Sequence, residues 1–513
     1  MTIRSRWLAL ALVAVLLAGF AVAPPPARAQ SQVTWGVHVT IAPTWFDPGE
    51  HTGIITIMMV LYALHDALVK PMPGNSMAPS LAESWSVAKD GLTYEFVLRK
   101  GVIFHNGDPF TAEDVKFSFD RYRGAAAKLL KDHVAAVEIV DPYKIRFRLK
   151  EPWPDFLTFY ASPASGAGWI VPKKYLEKVG DEGFKKAPIG AGPYKVVSFN
   201  PGIELTFEAF DRYWRKPPSV KRLVWKVVTE DLTRLAMLKR GEVDIAYSLR
   251  GPLGDEVQRT AGLKLAPTGG NATQWLNFGP LPWDTKSPWA DRRVRLAAAL
   301  SFDKNAINQA ETLGYSKITG SIIPSGFDYA LAIPPYPYDP AQAKKLLAEA
   351  GYPNGLDAGE YFCDSSYASV AESIANYLAA VGIRTKLRPM ERAAFLSQWK
   401  EKKIRGLLQS GAGGHGNAAT RIQNYMISDG LYAWGGYPDM DDLFVQQGRE
   451  LDPKRREAIL QQIQRLAHER VLAAPLWELG FLNAVGPRVE QSGIGLIAYH
   501  PYSAPYEDVK LRK

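Results

Sequence analysis

A glycine-rich segment late in the chain has residue types that could hold a charged group. Residues 411–417 read Gly-Ala-Gly-Gly-His-Gly-Asn, and Arg421 follows four positions later. Exposed backbone amides in such a loop can hold an anion, and an arginine can bind a carboxylate or phosphate through two parallel hydrogen bonds. We therefore predict a ligand-binding site that includes His415, Asn417 and Arg421. The alternative is a tight turn, with Arg421 in a surface or interlobe salt bridge.

The same segment also satisfies the Gly-x-Gly-x-x-Gly pattern of dinucleotide-binding loops. That function requires a surrounding βαβ unit that opens its domain and an acidic residue about 20 positions further on. Asp439 is only loosely placed for this role, and the segment follows a helix–strand series of a different pattern. The sequence therefore disfavours a dinucleotide site.

No catalytic or metal-binding pattern is evident in the sequence. It contains neither a Gly-x-Ser-x-Gly nucleophile turn nor a His-Glu-x-x-His motif, and its eight histidines are scattered. Cys363 is the single cysteine, so there is no disulfide framework and no cysteine-based zinc site. We predict a buried free thiol at this position. We expect no enzyme, no metal and no cofactor, and a secreted hydrolase with residues assembled from distant positions stays the alternative.

Length and composition indicate a soluble protein with more than one domain. The chain has 513 residues, too many for one ordinary core. Residues 1–29 combine a basic start, a short apolar run and a final Ala-Arg-Ala, which predicts a cleaved signal peptide. No cysteine follows the cleavage region, so we expect a periplasmic protein without a lipid anchor. Basic residues are dispersed, which disfavours nucleic-acid binding.

Residues 82–115 predict a β unit that leads into a helix. Tyr94, Phe96 and Leu98 alternate with more polar residues, as in a strand with one wet face. Asp90-Gly91 and Asn106-Gly107 are turn signals. Thr111 and Asp114 have the spacing of a capping box, and the apolar positions Val115, Phe119 and Tyr122 follow at helical spacing.

This stretch resembles the signature of the peptide/nickel-type periplasmic solute-binding proteins that serve ABC importers. Their Ala-Glu-Ser-Trp, Asp-Gly-Leu-Thr-Tyr and Pro-Phe-Thr-Ala-Glu-Asp-Val motifs occur here in the same order. The motifs at 190–194, 241–245 and 291–304 are also similar to those of the family, with Ala191 replacing a usual threonine. In the family, residues 82–115 are scaffold and do not touch the ligand.

The resemblance implies an α/β, two-lobed periplasmic-binding-protein fold of type II, in the large peptide-binding class, with an extra subdomain in the first lobe. The first crossing between the lobes is expected in the Pro-rich connector at 279–290. The predicted divisions are the signal peptide at 1–29, the first part of the first lobe at 30–75, its extra subdomain at 76–188, its second part at 189–283, the second lobe at 284–476 and the C-terminal return to the first lobe at 477–513.

The resemblance also implies candidate ligand contacts. Thr52 lies in a loop that passes under the ligand in the family. Trp275 and Asn277 share one face of a strand that runs along the cleft wall in the family, although Trp275 could equally be core. Trp434 could stack on the ligand or fill the edge of the lobe. Peptide-binding relatives hold the peptide amine with an acidic residue where this chain has Gly436, which puts ordinary peptide binding in doubt.

The predicted function is capture of a peptide or similar small organic solute between two hinged lobes and its delivery to a membrane permease. The missing acidic anchor favours a carboxylate-bearing non-peptide or a modified peptide. A nickel chelate is the alternative cargo, with His51 and His415 as its hints. A chaperone-like binder of unfolded segments is a further alternative. We expect a monomer.

Overall fold

A seven-stranded mixed sheet forms the first lobe. The computed structural model describes residues 31–50, 56–124, 126–161, 165–269, 272–279, 285–413, 416–497 and 500–512. Hydrophobic strands, among them one centred on the fully buried Trp35, are packed on both faces, as expected for the parallel part of a sheet. The strands, in spatial order, are Lys264–Thr268, Phe481–Val485, Ile245–Leu249, Gln32–Val37, Arg222–Val227, Glu204–Ala209 and Tyr194–Asn200.

A six-stranded mixed sheet forms the second lobe. Its strand Leu356–Asp364 runs parallel to both Ile383–Met390 and Gly406–Ala412, and helices cover it. Cys363 lies in this sheet and is buried, and burial raises the pKa of its thiol to about 12. In spatial order the strands are Lys317–Ile318, Ala473–Glu478, Thr273–Gly279, Gly406–Ala412, Leu356–Asp364 and Ile383–Met390.

A separate four-stranded antiparallel sheet builds the extra subdomain of the first lobe. The alternation predicted for 93–98 is confirmed, since Tyr94, Phe96 and Leu98 are buried. Gly91 and Gly107 have φ values of 70° and 90°, which explains glycine at both turns. The strands are Ala82–Val87, Thr93–Leu98, Lys144–Leu149 and Val134–Asp141.

Helices connect the strands and cover the sheets. The predicted capping box is confirmed, because the Asp114 carboxylate accepts a hydrogen bond of 2.9 Å from the Thr111 amide. Asp339 and Asp452 likewise cap helices that begin with proline. The α-helices are Thr56–Leu64, Ala112–Arg121, Ala127–His133, Phe156–Ala161, Lys173–Lys186, Asp231–Lys239, Gly251–Arg259, Arg292–Leu300, Lys304–Thr312, Pro340–Glu349, Ala368–Ala380, Arg392–Lys400, Ala418–Tyr425, Pro438–Arg449 and Pro453–Glu469.

Two hairpins and several short turns accompany the larger sheets and helices. Two small hairpins pair Val69–Met72 with Asn75–Pro79 and Val489–Gln491 with Lys510–Leu511. The 3-10 turns are Pro43–Phe46, Pro48–Glu50, Pro288–Ala290, Ser365–Tyr367 and Tyr506–Asp508. Within the described residues, no helix has the length and apolar character needed to span a bilayer.

Two adjacent chain crossings join the lobes. In the first sheet Thr268 pairs with Phe481, and in the second sheet Thr273 pairs with Glu478. Between them, the Leu479 amide donates to the Ala272 carbonyl over 2.6 Å. On both sides of residues 270 and 271, which lie outside the described residues, the two crossings therefore pair in antiparallel fashion. We call the described parts of these segments, 264–269, 272–279 and 473–485, the interlobe ribbon.

The position of the ribbon differs from the predicted lobe boundary. Strand Thr273–Gly279, expected in the first lobe, lies inside the second sheet because Gly406–Ala412 and Ala473–Glu478 flank it. The described flanks of the Pro-rich connector, strand Thr273–Gly279 and helix Arg292–Leu300, both lie in the second lobe, which argues against a crossing there. The described part of the connector, 285–290, leads to helix Arg292–Leu300 of the second lobe, and Trp289 packs on Phe278 with ring centroids 5.1 Å apart.

Candidate functional site

The carboxyl ends of parallel strands in both sheets point to the binding edge of each lobe. In the first sheet, strand Gln32–Val37 runs parallel to Ile245–Leu249 and ends before His38. In the second sheet, strand Leu356–Asp364 runs parallel to Ile383–Met390, which ends shortly before Arg392. Ligands of open α/β sheets bind outside the carboxyl ends of the strands. A ligand site is therefore expected at these two edges.

His38 and Tyr502 form the first-lobe side of this region. Their ring centroids are 4.4 Å apart, and the Tyr502 carbonyl accepts a hydrogen bond of 2.7 Å from the Tyr247 hydroxyl. Arg234 supports the edge from behind, because its buried guanidinium donates to the carbonyls of Tyr247 and Ser248 over 2.8 and 2.6 Å. The aromatic wall is thus fixed by backbone hydrogen bonds.

Arg392 and Asp364 form the second-lobe side. The Arg392 Nη1 atom donates to the Asp364 carboxylate over 2.7 Å, and the side chains are 58% and 6% exposed, respectively. Asp364 also accepts from the Ser366 amide over 2.9 Å. Burial works against the charge of Arg392, but Tyr367 and Asp364 more than offset it, so the pKa of the guanidinium lies above its usual range.

The two sides are close enough to interact electrostatically. Burial, together with the charges of Arg234 and Arg392, lowers the pKa of His38 to about 3. Arg392 also acts on the hydroxyl of Tyr502. A charge in the second lobe is therefore close enough to influence groups of the first. We call the region between His38, Tyr502, Asp364, Tyr367 and Arg392 the cleft.

A buried polar contact closes the lobes at another place. Asp155 of the first-lobe subdomain accepts a hydrogen bond of 2.5 Å from the Asn417 side chain and forms a salt bridge with Arg456. All three residues are at most 4% exposed. Arg456 also donates to Gln447 over 3.0 Å and lies over the Tyr329 ring, 5.2 Å from its centroid. We call the contact of Asp155 with Asn417 and Arg456 the interlobe bridge.

A cavity of about 460 Å³ adjoins this bridge between the subdomain and the second lobe. Trp153 from the subdomain and Phe444 from the second lobe are among its apolar lining residues, and Asp155 lies at its wall. Trp153 stacks on His133 with ring centroids 4.3 Å apart. The lobes are thus in contact at the bridge and separated beside it.

Three of the predicted site residues lie around helix Ala418–Tyr425. Asn417 caps the helix by accepting from the Thr420 amide over 3.2 Å, and its amide group reaches Asp155. The Arg421 guanidinium is buried and donates to the carbonyls of Ala412 and Gly413 over 3.1 Å each. Trp275 packs edge-on against Tyr425, with ring centroids 5.3 Å apart.

Trp275 and Asn277 line a small cavity inside the second lobe, and Trp434 lies in the same core. The cavity has a volume of about 40 Å³ and is also bordered by Tyr336 and His468. Trp434 is buried against Trp399, with ring centroids 6.3 Å apart, and against Gly279, where an added Cβ would lie 2.9 Å from its ring. The ligand-binding roles given to these residues stay predictions.

The remaining predicted residues Thr52 and His415, and also His51, lie outside the described residues. Gly436 is described, and its surroundings are crowded. A Cβ at this position would lie 2.6 Å from the Ser428 amide nitrogen and 2.9 Å from an Asp441 carboxylate oxygen. Asp441 itself accepts from that amide over 2.9 Å. The local backbone therefore has no room for an acidic side chain at 436.

No sequence pattern identified His38, Arg392, Tyr502, Asp155 or Arg456. Single charged or aromatic residues carry no distinguishing pattern, so the sequence offered no signal for them. Among the described residues, no group of three or more His, Cys, Asp or Glu side chains is arranged to hold a metal ion. The arrangement that the structure shows is suited to binding between two surfaces.

Comparisons with known proteins agree with this geometry. The chain is 31% identical over 321 residues to the glutathione-binding protein GsiB of Salmonella paratyphi A, which covers 61% of this chain and 60% of that protein. The match to this relative therefore spans less than two thirds of the relative's length.

Solved structures share the whole fold. MoaA from A.tumefacien, in complex with mannopinic acid, superposes with a TM-score of 0.78 at 26% identity, over 94% of this chain and 100% of that one. NikA from Brucella suis, in complex with Fe(III)-EDTA, superposes with a TM-score of 0.81 at 23% identity, with the same coverage. The predicted two-lobed fold is thereby confirmed.

A sequence model of one family matches most of the chain. Its description is "Bacterial extracellular solute-binding proteins, family 5 Middle", and the match runs over residues 76–432. This range contains the subdomain, much of both lobes and the motifs at 82–115 on which the predicted resemblance rests. The chain belongs to the family 5 bacterial extracellular solute-binding proteins.

Proposed function

We propose that the protein is the extracytoplasmic substrate-binding component of an ABC importer. It captures a small organic solute in the cleft and delivers it to a membrane permease. The observation that carries this proposal is the interlobe bridge, which joins side chains of two lobes connected by a bendable ribbon. Such a contact forms when the lobes close and breaks when they open, as in hinge closure around a ligand.

The proposed cargo is a peptide or a similar small solute that carries a carboxylate. GsiB is named for glutathione, and MoaA was solved with mannopinic acid. The crowding at Gly436 argues against an acidic anchor for a peptide amine at that position. A modified peptide or a carboxylate-bearing non-peptide therefore fits this chain better than an ordinary peptide.

The finer features of the proposal follow the sequence. The mature protein is a monomer in the periplasm, with its signal peptide removed, and it has no catalytic activity. Thr52, Trp275, Asn277, His415, Asn417, Arg421 and Trp434 remain proposed ligand contacts. For Asn417 and Arg421, this role would require a ligand to add to the protein contacts that they already make.

Mass spectrometry of solute that co-purifies with the protein, combined with small-angle scattering, tests the proposed function. We expect a small carboxylate-bearing solute whose mass is unchanged after prolonged incubation with the protein. Removing the solute should expand the molecule, and adding it back should compact it. Turnover of the solute would instead support a secreted hydrolase. A radius of gyration that no solute changes would contradict hinge closure.

A further inference from the structure

Arg392 differs from the other arginines near the strand ends because much of its side chain is open. Arg234 is buried, and its guanidinium is occupied by backbone carbonyls of Val228, Tyr247 and Ser248. Arg421 is also buried and donates to two carbonyls. The Arg392 side chain is 58% exposed although it sits between the lobes.

Asp364 orients Arg392 without covering it. The hydrogen bond to Asp364 uses one nitrogen, Nη1, over 2.7 Å, and Tyr367 also interacts with the guanidinium. A guanidinium presents several N–H donors in one plane. Asp364 is itself fixed by the Ser366 amide over 2.9 Å. The arginine is thus held in place by a rigid partner, and the exposed part of its plane is available to a second planar acceptor.

The groups around Arg392 favour an anionic partner. The two guanidinium groups of Arg234 and Arg392 act on His38, and burial together with these charges keeps this histidine neutral by lowering its pKa to about 3. Asp364 pairs with Arg392, and Asp231 and Glu230 act on Arg234. The feature that favours an anion is therefore the exposed part of the Arg392 guanidinium, which its partner does not cover. A carboxylate supplies one negative charge and the planar geometry for paired hydrogen bonds with arginine.

We propose that Arg392 binds a carboxylate of the transported solute in the cleft, while His38 and Tyr502 close over it from the first lobe. This inference rests on the proposed function and specifies its ligand. It places the anionic anchor at Arg392, after strand Ile383–Met390, instead of at Arg421, which the sequence suggested. Because the bound carboxylate would lie between the lobes, its binding would favour the closed state.

Matched pairs of free and masked acids test this assignment. The probes are glutathione and its diethyl ester, trialanine and its C-terminal amide, N-acetyl-trialanine, and inorganic phosphate. Calorimetric titration measures binding to the unmodified protein and to Arg392→Gln, and scattering reports compaction. We expect a free acid to bind to the unmodified protein. Masking its carboxylate, or replacing Arg392 with Gln, should each weaken the binding about 10- to 100-fold, which is the range for a lost hydrogen bond to a charged group.

Two further variants separate binding from folding. Arg388→Gln removes a similarly exposed arginine, 43% accessible and 2.9 Å from Glu360 on the same strand pair, and should bind as the unmodified protein does. Arg392→Lys keeps the charge but not the planar fork, so it should bind with intermediate affinity. Asp364→Asn combined with Arg392→Gln avoids an unpaired buried carboxylate and should retain the weakened binding.

Several outcomes would overturn the assignment. One is equal affinity of Arg392→Gln and Arg388→Gln for a solute that still compacts the molecule, which would leave the proposed function intact. Another is binding of phosphate, an amide or an ester as tightly as the free acid. Binding of neutral or cationic solutes alone would also overturn it. If no solute of any class compacts the protein, both this inference and the proposed function fail.

Discussion

Replacing Asp155 with alanine should shift the protein toward its open form. Asp155 is the first-lobe partner of both Arg456 and Asn417 in the interlobe bridge, and all three residues are at most 4% exposed. In the closed form of Asp155→Ala, Arg456 would be buried without its carboxylate. In the open form, water can solvate the guanidinium. The substitution therefore penalises closure more than it penalises the folding of either lobe.

The size of the effect follows from the environment of Arg456. Removing one partner of a buried ion pair costs about 3–5 kcal/mol. Arg456 keeps its hydrogen bond to Gln447, 3.0 Å long, and its position over Tyr329, so we take the lower end, about 3 kcal/mol. That free energy corresponds to about a 100-fold change in the ratio of closed to open molecules. Apparent affinity scales with the binding-competent fraction, so the solute should bind up to about 100-fold more weakly.

Calorimetric titration with the co-purifying solute and scattering at saturation provide the assay. Asp439→Ala is the matched control, because Asp439 also pairs with an arginine, Arg470, over 2.6 Å but lies 54% exposed within one lobe. An exposed pair contributes about 0–1 kcal/mol, so this variant should bind almost normally. Asp155→Ala combined with Arg456→Met should recover much of the loss, because it removes the unpaired charge. The reasoning is wrong if Asp155→Ala matches Asp439→Ala in both affinity and radius of gyration.

Three further predictions concern pH, the ribbon and residue 436. Burial lowers the pKa of His65 and His500 to about 4, and burial together with Arg234 and Arg392 lowers that of His38 to about 3. Histidines of the unfolded chain protonate at about 6.5, so the urea midpoint of unfolding should fall as the pH drops from about 6.5 to about 4. A midpoint that does not change over this range would contradict the prediction. Gly480→Ala would place a Cβ 2.7 Å from the Tyr315 carbonyl group and should lower the free energy of unfolding by about 1–3 kcal/mol. Gly448→Ala, in a helix with open space, should raise it by up to about 1 kcal/mol in the same urea titration, and equal effects would refute the steric argument. Gly436→Asp should destabilise the protein because of its contact with Ser428, without creating affinity for trialanine amide; unchanged stability or tight amide binding would show that the site can accept an acidic anchor.

The elements of the subdomain could be predicted because local signals determine them. The buried alternation of Tyr94, Phe96 and Leu98, the turns at Gly91 and Gly107, and the capping box are all set by neighbours in sequence. The family motifs then supplied the two-lobed architecture, which no local signal contains.

The crossing and the site depend on contacts between distant parts of the chain. Strand Thr273–Gly279 has the same pattern in either lobe, and its lobe is decided by pairing with Gly406–Ala412 and Ala473–Glu478. Asp155 and Arg456 are 301 positions apart. Arg392 reads as an ordinary surface arginine until the parallel strands place it opposite His38. A single sequence gives no information on such pairings.

The interlobe ribbon determines how the lobes can move. Its two strands remain hydrogen-bonded through the crossing, where the Leu479 amide meets the Ala272 carbonyl over 2.6 Å. A paired ribbon bends readily out of its own plane, whereas bending within that plane would shear the hydrogen bonds. A relative motion of the lobes is therefore expected to be mainly a rotation about one axis. Such a rotation would bring the same residues of the two cleft edges together each time the lobes close.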